Sequence, residues 1–249
     1  MSRLTGKVAI VTGASKGIGA GIAEALGAEG AAVVVNYASS RAGADRVVET
    51  IQSKGGKAIA VQADVAKPGD VRRLFEEARR TFGSLDILVN NAGIYQFAPL
   101  AEVTEDEYRR QFDINVLGTL LTLQESLKHF GPEGGSVINV SSVASLNATP
   151  NTVVYSATKA AVDSITRTLS HELSARKIRV NTLAPGATDT EGLHTAGIKG
   201  SDFEKQMVSL TPLGRIAQPQ DIARVAVFLA SPESDWLTGE RISASGGWH

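Results

Sequence analysis

The chain has 249 residues, of which 43% are hydrophobic and 20% are charged, and its formal net charge is −1. This balance is typical of one α/β domain with a large core, and it offers no broad basic field for nucleic acid or an anionic membrane. Cysteine is absent, which excludes disulfides and thiolate metal sites and is compatible with a cytoplasmic location. No apolar run approaches the roughly 18 residues of a membrane span, and no signal-peptide pattern is present. We therefore expect no membrane partner.

A strand, a glycine-rich turn, a helix and a second strand follow one another near the start of the chain. Residues 7–12 and 31–36 are apolar and rich in β-branched side chains, and residues 20–29 have a helical pattern. The turn has the sequence Gly13-Ala14-Ser15-Lys16-Gly17-Ile18-Gly19. This order is typical of dinucleotide-binding units, in which glycine lets the pyrophosphate approach free N–H groups at a helix N-terminus. The alternative is a glycine-rich turn that binds nothing.

Strands and helices continue to alternate along the rest of the chain. The pattern predicts strands at 57–61, 85–89, 136–140, 177–183 and 240–244, and helices at 41–53, 68–82, 104–130, 151–175 and 219–230. We therefore predict a single domain over residues 1–249, with a Rossmann-type, doubly wound parallel sheet of about seven strands and helices on both faces.

One long segment, residues 187–214, shows no regular pattern and contains Gly192, Gly197 and Gly200. Long loops in compact domains are often binding loops, so we predict a substrate lid here. Its single aromatic residue is Phe203, which gives little support within the lid for stacking on a flat aromatic substrate.

The end of the second strand bears on which dinucleotide is bound. NAD-binding units usually carry an acidic residue there for the ribose 2′-hydroxyl, but this chain has Asn36-Tyr37-Ala38-Ser39-Ser40-Arg41. Without a carboxylate, a 2′-phosphate is not repelled, and Lys16 can supply positive charge while Ser39 and Ser40 donate hydrogen bonds. The sequence therefore favours NADP(H). The alternative is that Lys16 and Arg41 are ordinary surface charges.

Chemistry is expected from a tyrosine and a lysine on one helix. Tyr155 and Lys159 share a helix face, where an ammonium can lower the phenol pKa from its usual value of about 10. Ser142 ends the fifth strand at the sheet edge where such folds place their chemistry, and Ser141 is the alternative. Asn115 lies among apolar residues of a predicted helix, so it needs a buried partner. The alternative is that the Tyr-Lys pair has no catalytic role and that the lysine is a solvated residue on an amphipathic helix.

The glycine spacing, with Thr12 before it, resembles the short-chain dehydrogenase/reductase family. The resemblance runs from Thr12 to Gly246 and includes Asn115, Ser142 and the Tyr155–Lys159 motif in order. It implies that Ser142 holds the substrate oxygen, Tyr155 transfers a proton, and Lys159 binds the nicotinamide ribose and favours the phenolate. It implies further that Asn115 holds a water linked to the lysine. Within the family, the chain resembles 3-oxoacyl-(acyl-carrier-protein) reductases and naphthol or ketone reductases.

The resemblance also assigns contacts with the cofactor. Asp64 and Val65 are implied at the adenine, the Asn-Asn-Ala-Gly turn at the adenine ribose, and the segment after Pro185 at the nicotinamide carboxamide. With the residues from the glycine turn and the second strand, the predicted cofactor-binding set is Gly13, Ser15, Lys16, Gly17, Ile18, Gly19, Asn36, Tyr37, Ala38, Ser39, Ser40, Asp64, Val65, Asn91, Ala92, Gly93, Tyr155, Lys159, Pro185, Gly186, Thr188 and Thr190.

These observations predict an NADPH-dependent reductase that converts a small-molecule ketone to a secondary alcohol. A dehydrogenase that oxidises a sugar or secondary alcohol, and a nucleotide-binding regulator without activity, are the alternatives. No metal site is expected, because the histidines are scattered. The family resemblance implies a homotetramer or a homodimer.

Overall fold

The computed structural model describes residues 2–147, 149–195 and 197–248, and its strands form one parallel sheet. The ends of the predicted domain, residues 1 and 249, and residues 148 and 196 lie outside the described residues. The sheet order β3-β2-β1-β4-β5-β6-β7 confirms the doubly wound fold with seven strands. The strands are β1 Val8–Val11, β2 Ala32–Tyr37, β3 Lys57–Gln62, β4 Ile87–Asn90, β5 Gly135–Val140, β6 Ile178–Pro185 and β7 Arg241–Ala244.

The central strands are buried on both faces, which explains why they read as continuous apolar runs. Val33 and Val35 of β2 belong to a core on one face of the sheet, and Val34 between them belongs to a second core on the other face. All three are 0% exposed. Successive side chains of a strand point to opposite faces, so a run of valines serves both cores.

Helices cover both faces of the sheet, as the pattern predicts. They are α1 Gly17–Ala28, α2 Arg41–Ser53, α3 Pro68–Phe82, α4 Glu105–Phe112, α5 Gly118–Ser126, α6 Val153–Glu172, α7 Glu191–Thr195, α8 Asp202–Ser209 and α9 Pro219–Ala230. The first core contains residues of α1, α2 and α9, and the second contains residues of α3 and α5. In the described part of the chain, no helix is long and apolar enough to cross a membrane.

The predicted helix over 104–130 forms as one helical run from Glu105 to Ser126, but it is not α-helical throughout. A π-helical turn, Asp113–Leu117, separates α4 from α5. It contains Asn115, whose amide bonds the backbone of Ile94 through two hydrogen bonds of 2.8 Å each. A π-helical turn contains one more residue than an α-helical turn. The wider turn accompanies a polar side chain that points inward to a neighbouring loop.

The segment 187–214 is not irregular throughout, contrary to the prediction, because it contains α7 and α8. The Ser201 hydroxyl caps α8 by accepting a hydrogen bond from the Glu204 N–H at 3.3 Å. Leu193 of α7 and Met207 of α8 join a small apolar cluster beside the main cores. That this segment acts as a substrate lid stays a prediction.

A series of hydrogen-bonded, buried polar side chains crosses the second face of the sheet. Thr122 of α5 donates to Asn90 at 2.7 Å, Asn90 donates to Asn139 at 2.9 Å, and Asn139 donates to Thr166 of α6 at 2.9 Å. Each donor has a partner, so these polar groups are buried without a large penalty. The chain of bonds fixes α5 and α6 relative to the ends of β4 and β5.

Candidate active site

A cavity of about 330 Å³ opens at the edge of the sheet where β1, β4, β5 and β6 end. It brings together residues that are far apart in the sequence. The predicted site residues in its lining are Gly13, Lys16, Gly17, Ile18, Gly19, Asn91, Gly93, Ser142, Tyr155, Lys159, Pro185, Gly186, Thr188 and Thr190. The predicted residues at the end of β2 and after β3 are not part of the described lining of this cavity.

The glycine turn is held tightly against the end of β4. Gly13 has a φ of +61°, and a Cβ there would lie 2.8 Å from the Cα of Ala92. Asn91 donates from its side-chain amide to the backbone oxygens of Thr12 at 2.9 Å and Gly13 at 3.1 Å. Only glycine allows both this backbone conformation and this close approach. Ala92 therefore packs against the glycine turn, and Asn91 holds it by hydrogen bonds.

The turn leads into a helix N-terminus that suits an anion. Helix α1 begins at Gly17, and its first turn contains no acidic residue. The side chain of its N-cap residue, Lys16, forms no capping hydrogen bond, so it does not occupy the first N–H groups of the helix. Free N–H groups and the positive end of the helix dipole are what a pyrophosphate requires. The residues present therefore fit a dinucleotide.

The residues at the end of β2 fall into two groups. Asn36 is 1% exposed, accepts a hydrogen bond from the Gly13 N–H at 3.1 Å, and donates to the Ala63 oxygen at 3.0 Å. Its side chain therefore supports the glycine turn from inside the protein. The Tyr37 side chain is likewise buried in the first core. By contrast, Ala38, Ser39 and Ser40 are exposed.

The first turn of α2 meets the glycine turn at Gly43. A Cβ at Gly43 would lie 2.5 Å from the backbone oxygen of Ser15 and 2.8 Å from the hydroxyl of Ser40. Sequence reasoning missed this contact, although a glycine near a helix start is a signal of close packing. Lys16 is exposed nearby, whereas Arg41 forms a 3.4 Å ion pair with Asp45 on its own helix.

Asp64 lies in a turn rather than at a helix cap. Its carboxylate accepts a hydrogen bond from the Ala66 N–H at 3.0 Å, while the N-cap of α3 is Lys67. Asp64 therefore does not cap α3. Val65 is buried beneath Gly118 of α5, where a Cβ would come within 2.7 Å of Val65.

Asn115 is buried, and both its side-chain oxygen and its side-chain nitrogen form hydrogen bonds. It is 1% exposed, and besides its two bonds to Ile94 it donates to the Thr158 hydroxyl of α6 at 3.0 Å. The need for a buried partner is thus confirmed. Gly93 separates Asn115 from Lys159, because a Cβ at Gly93 would lie 3.3 Å from the Asn115 Oδ1 and 3.4 Å from the Lys159 Nζ. The predicted water beside Asn115 remains a prediction.

Tyr155 and Lys159 lie one turn apart at the start of α6. The Lys159 Nζ is 5.7 Å from the centre of the Tyr155 ring and donates to the Val140 oxygen at the end of β5 at 2.9 Å. Burial lowers the pKa of Lys159 to about 8, and the Asp163 carboxylate opposes this shift. The lysine is 5% exposed, so little water contacts its ammonium group, which lies at the cavity wall.

The pKa of Tyr155 differs from the prediction that Lys159 would lower it. Part of the ring faces the cavity, but the surrounding protein is dense, and burial raises the pKa of Tyr155 to about 12. The side chain of Ser142 lowers this pKa, and the neighbouring Tyr95 raises it further. The phenol is therefore protonated at neutral pH, which makes it a proton donor.

The two serines after β5 have different surroundings. The Ser141 hydroxyl is buried and donates to the Lys159 backbone oxygen at 3.1 Å. The Ser142 hydroxyl accepts a 3.2 Å hydrogen bond from the Ala144 N–H and can still donate its own proton. The geometry thus favours Ser142 over Ser141 as the group that contacts a ligand.

The segment after β6 borders the cavity beside the glycine turn, where a Cβ at Gly17 would lie 3.2 Å from the Thr190 side chain. Gly186 follows Pro185, and a Cβ at Gly186 would lie 2.9 Å from the Cα of Ser245. The Thr188 hydroxyl donates to the Gly186 oxygen at 3.0 Å, and Thr190 accepts a bond from the start of α7. The predicted nicotinamide contacts therefore lie on the same cavity as Tyr155.

Aromatic side chains outside the segment 187–214 form one wall of the cavity, and sequence reasoning missed them. The rings of Tyr95 and Phe97 stack with centres 5.2 Å apart, and each lies 6.0 Å from the Tyr155 ring, edge to face. We call Tyr95, Phe97 and Tyr155 the aromatic wall. Phe203 and Trp248 also line the cavity. The only local signal was two aromatic residues shortly after the end of β4.

Comparison with known proteins agrees with this geometry over nearly the whole chain. A family model described as enoyl-(acyl carrier protein) reductase matches residues 13–249. An uncharacterised oxidoreductase of Methylorubrum extorquens is 61% identical over 99% of this chain and 99% of that protein. A hydroxynaphthalene reductase-like protein of Metarhizium robertsii is 43% identical over 98% of this chain and 95% of that protein.

A solved structure shares the fold as well. The landomycin C-6 ketoreductase LanV, crystallised with bound NADP and rabelomycin, is 42% identical and superposes with a TM-score of 0.89 over 99% of this chain and 97% of that chain. The resemblance given by the glycine turn and the Tyr155–Lys159 motif is confirmed, and the chain belongs to the short-chain dehydrogenase/reductase family of oxidoreductases.

Proposed function

We propose that the protein is an NADPH-dependent reductase that converts a ketone to a secondary alcohol. The observation that carries this proposal is the single cavity shared by the glycine turn, Ser142, Tyr155 and Lys159. A dinucleotide site and a proton donor in one cavity are the two requirements of carbonyl reduction.

Each side chain has a part in the proposed reaction. A bound NADPH would supply the hydride. The Ser142 hydroxyl donates a hydrogen bond to the ketone oxygen as negative charge develops there. Tyr155 gives its proton to that oxygen. Lys159 then stabilises the phenolate by its charge, and it binds the nicotinamide ribose.

The raised pKa of Tyr155 fits the part of a proton donor. A phenol with a pKa of about 12 is protonated at neutral pH and can give its proton to a ketone oxygen. The same side chain would take the proton back in alcohol oxidation, so the proposed direction rests on the preference for NADPH.

The preference for NADPH over NADH rests on charge. No acidic residue lies between Tyr37 and Arg41, and Lys16 is exposed at the glycine turn. Among the described residues, no carboxylate lies within ion-pair distance of Lys16. LanV, which is 42% identical, was crystallised with NADP. These observations support a 2′-phosphate bound beside Lys16 and Ser39.

The substrate class follows from the aromatic wall. Tyr95 and Phe97 are 38% and 40% exposed, so they offer open ring surface beside Tyr155. Flat rings stack favourably on such surfaces. The segment 187–214 has a single aromatic residue, Phe203, whereas the aromatic wall comes from the loop after β4 and from α6. A relative that is 43% identical is described as hydroxynaphthalene reductase-like. We therefore propose a ketone fused to an aromatic ring.

The test is NADPH oxidation, followed by absorbance, with the bicyclic ketone tetralone. Tyr155→Phe should lower kcat by roughly 10²- to 10⁴-fold, the size expected for loss of a general acid. Tyr108→Phe is the matched control, because Tyr108 is 46% exposed on α4 and is not part of the cavity lining. Full activity in Tyr155→Phe would overturn the assignment.

We also propose a homotetramer or a homodimer in the cytoplasm. Leu117 at the end of the π-helical turn, Leu120 of α5 and Val153 of α6 are 41%, 42% and 51% exposed. Ala157 and Ala160 are exposed on α6 as well. Small side chains on a helix surface allow a second helix to pack closely. Light scattering coupled to gel filtration measures the mass in solution, and a monomer would contradict this proposal.

A further inference from the structure

An arginine that does not itself line the cavity lies directly behind Ser142. Arg241 of β7 donates through its guanidinium to the backbone oxygen of Ser142 at 3.1 Å and to the hydroxyl of Ser145 at 3.1 Å. It also donates to the Asp163 carboxylate at 3.0 Å and to the Ser243 hydroxyl at 2.7 Å. One planar group thus joins β7, the turn after β5 and helix α6.

Asp163 is the charged partner in this arrangement. Its side chain is 4% exposed and lies one helical turn after Lys159 on α6. The Ser145 hydroxyl donates to it at 2.5 Å. Within the described residues, the other carboxylate oxygen has no hydrogen-bond partner. The buried negative charge therefore depends on Arg241 and Ser145, and loss of the arginine would leave it largely uncompensated.

The charged and titratable groups around Asp163 come from two elements. Arg241 faces it from β7, and Lys159 faces it along α6. The Asp163 carboxylate raises the pKa of Lys159 against the effect of burial. The arrangement thus connects the Ser142 backbone to the charge environment of the lysine.

We infer that Arg241 is a positioning residue for the proposed reaction. It holds the Ser142 backbone from outside the cavity, so that the serine hydroxyl lies at a fixed distance from Tyr155, and it keeps the Asp163 carboxylate in place below Lys159. This inference rests on the proposed function. A guanidinium suits the task because its donors form a rigid fork that reaches several oxygens at once.

The test compares Arg241→Met with Arg179→Met. Arg179 is a matched control because its side chain is 15% exposed against 19% for Arg241. It also donates to backbone oxygens, at 2.9 Å for Leu229 and 3.3 Å for Ser231. Its strand neighbour Ile178 begins β6, so Arg179 lies at the end of the sheet away from the cavity.

Both variants should lose thermal stability, but their kinetics should differ. For tetralone reduction, Arg241→Met should lower kcat about 10- to 100-fold, because small displacements of a catalytic group have effects of this order. Its KM for NADPH should change by no more than about threefold, since the arginine does not line the cofactor cavity. Arg179→Met should keep its kcat within about threefold of the wild type.

Hydrogen exchange gives a second readout that does not depend on turnover. Residues 141–147 should exchange faster in Arg241→Met than in the wild type, and at the wild-type rate in Arg179→Met. Asp163→Asn should retain the bond from Arg241 to Ser142 but remove the carboxylate that raises the pKa of Lys159. The fall of kcat with rising pH should then move to lower pH.

The outcomes separate this inference from the proposed function. Equal kcat values and equal exchange of residues 141–147 in the two arginine variants would overturn the positioning role. An unchanged pH profile in Asp163→Asn would also count against it. If the wild type reduces no ketone while Arg241→Met alone exchanges faster, the proposed function fails and the structural part of the inference stands.

Discussion

The buried lysine of the candidate active site should destabilise the fold that holds it. Lys159 is 5% exposed, and burial lowers its pKa from the ordinary 10.5 to about 8. Replacing it by methionine removes the buried ammonium while keeping a similar length and an unbranched chain. We therefore expect Lys159→Met to be more stable than the wild type near neutral pH, although it should be inactive.

The size of the effect follows from the pKa. A difference between 10.5 in the unfolded chain and about 8 in the fold corresponds to a cost of about 3 kcal/mol when both states are protonated. Loss of the hydrogen bond from Lys159 to the Val140 oxygen costs about 1 kcal/mol. The free energy of unfolding of Lys159→Met should thus exceed that of the wild type by about 2 kcal/mol at pH 7.

The sign of the pH dependence is fixed by the same values. Because the folded pKa is depressed, the unfolded chain binds more protons between pH 8 and 10.5, and wild-type stability rises with pH in that window. The cost is fully present below pH 8 and is lost above 10.5. The advantage of Lys159→Met should therefore shrink on going from pH 7 to pH 10.

Urea denaturation without added nucleotide measures this difference at both pH values. Lys57→Met is the control, because Lys57 is exposed at the start of β3, and it should show no comparable gain. The reasoning is refuted if Lys159→Met is less stable than the wild type at pH 7, or if its advantage is the same at pH 10.

Three further predictions concern the cofactor and the substrate. Gly43→Ala places a methyl group 2.5 Å from the Ser15 oxygen, so the Kd for NADPH, measured by fluorescence titration, should rise about tenfold or more. Gly69→Ala, which has open space, should leave it unchanged, and equal effects would contradict the contact. Lys16→Ala should lower kcat/KM for NADPH about tenfold and spare that for NADH, as expected for a lost charged hydrogen bond; a parallel loss with both nucleotides would rule this out. Phe97→Ala should raise KM for tetralone roughly three- to tenfold, whereas an unchanged KM would remove the aromatic wall from the proposal.

The parts of the site that could be predicted are motifs whose residues lie close together in the sequence. The glycine turn lies directly between a strand and a helix, and Tyr155 and Lys159 lie one turn apart, so neighbours in the sequence are neighbours in space. The doubly wound sheet of about seven parallel strands follows because alternating strands and helices leave few other arrangements. Helix α8 could have been found too, since Ser201 and Glu204 have the spacing of a capping box.

The parts that could not be predicted depend on contacts between distant segments. Arg241 meets Asp163 across 78 positions of the chain, and no local pattern announces such a pair. The sequence also cannot show which way a polar side chain turns. Asn36 is predicted to contact the cofactor, yet its side-chain oxygen accepts a hydrogen bond from the Gly13 N–H inside the protein. Likewise, the pKa of Tyr155 depends on how densely the folded protein surrounds it.

The π-helical turn Asp113–Leu117 sets the rotational phase of everything that follows it on that helix. Each residue of an α-helix advances the side chains by about 100° around the axis. If this turn became α-helical without losing a residue, α5 would rotate by about 100°, which would swing Thr122 away from Asn90 and Leu123 out of its core. Deleting one residue would instead give an ordinary α-helix with α5 still in phase, but it would remove the widened turn that brings Asn115 to Ile94. The extra residue thus lets one helix turn a polar side chain inward while the segments on either side keep their buried faces.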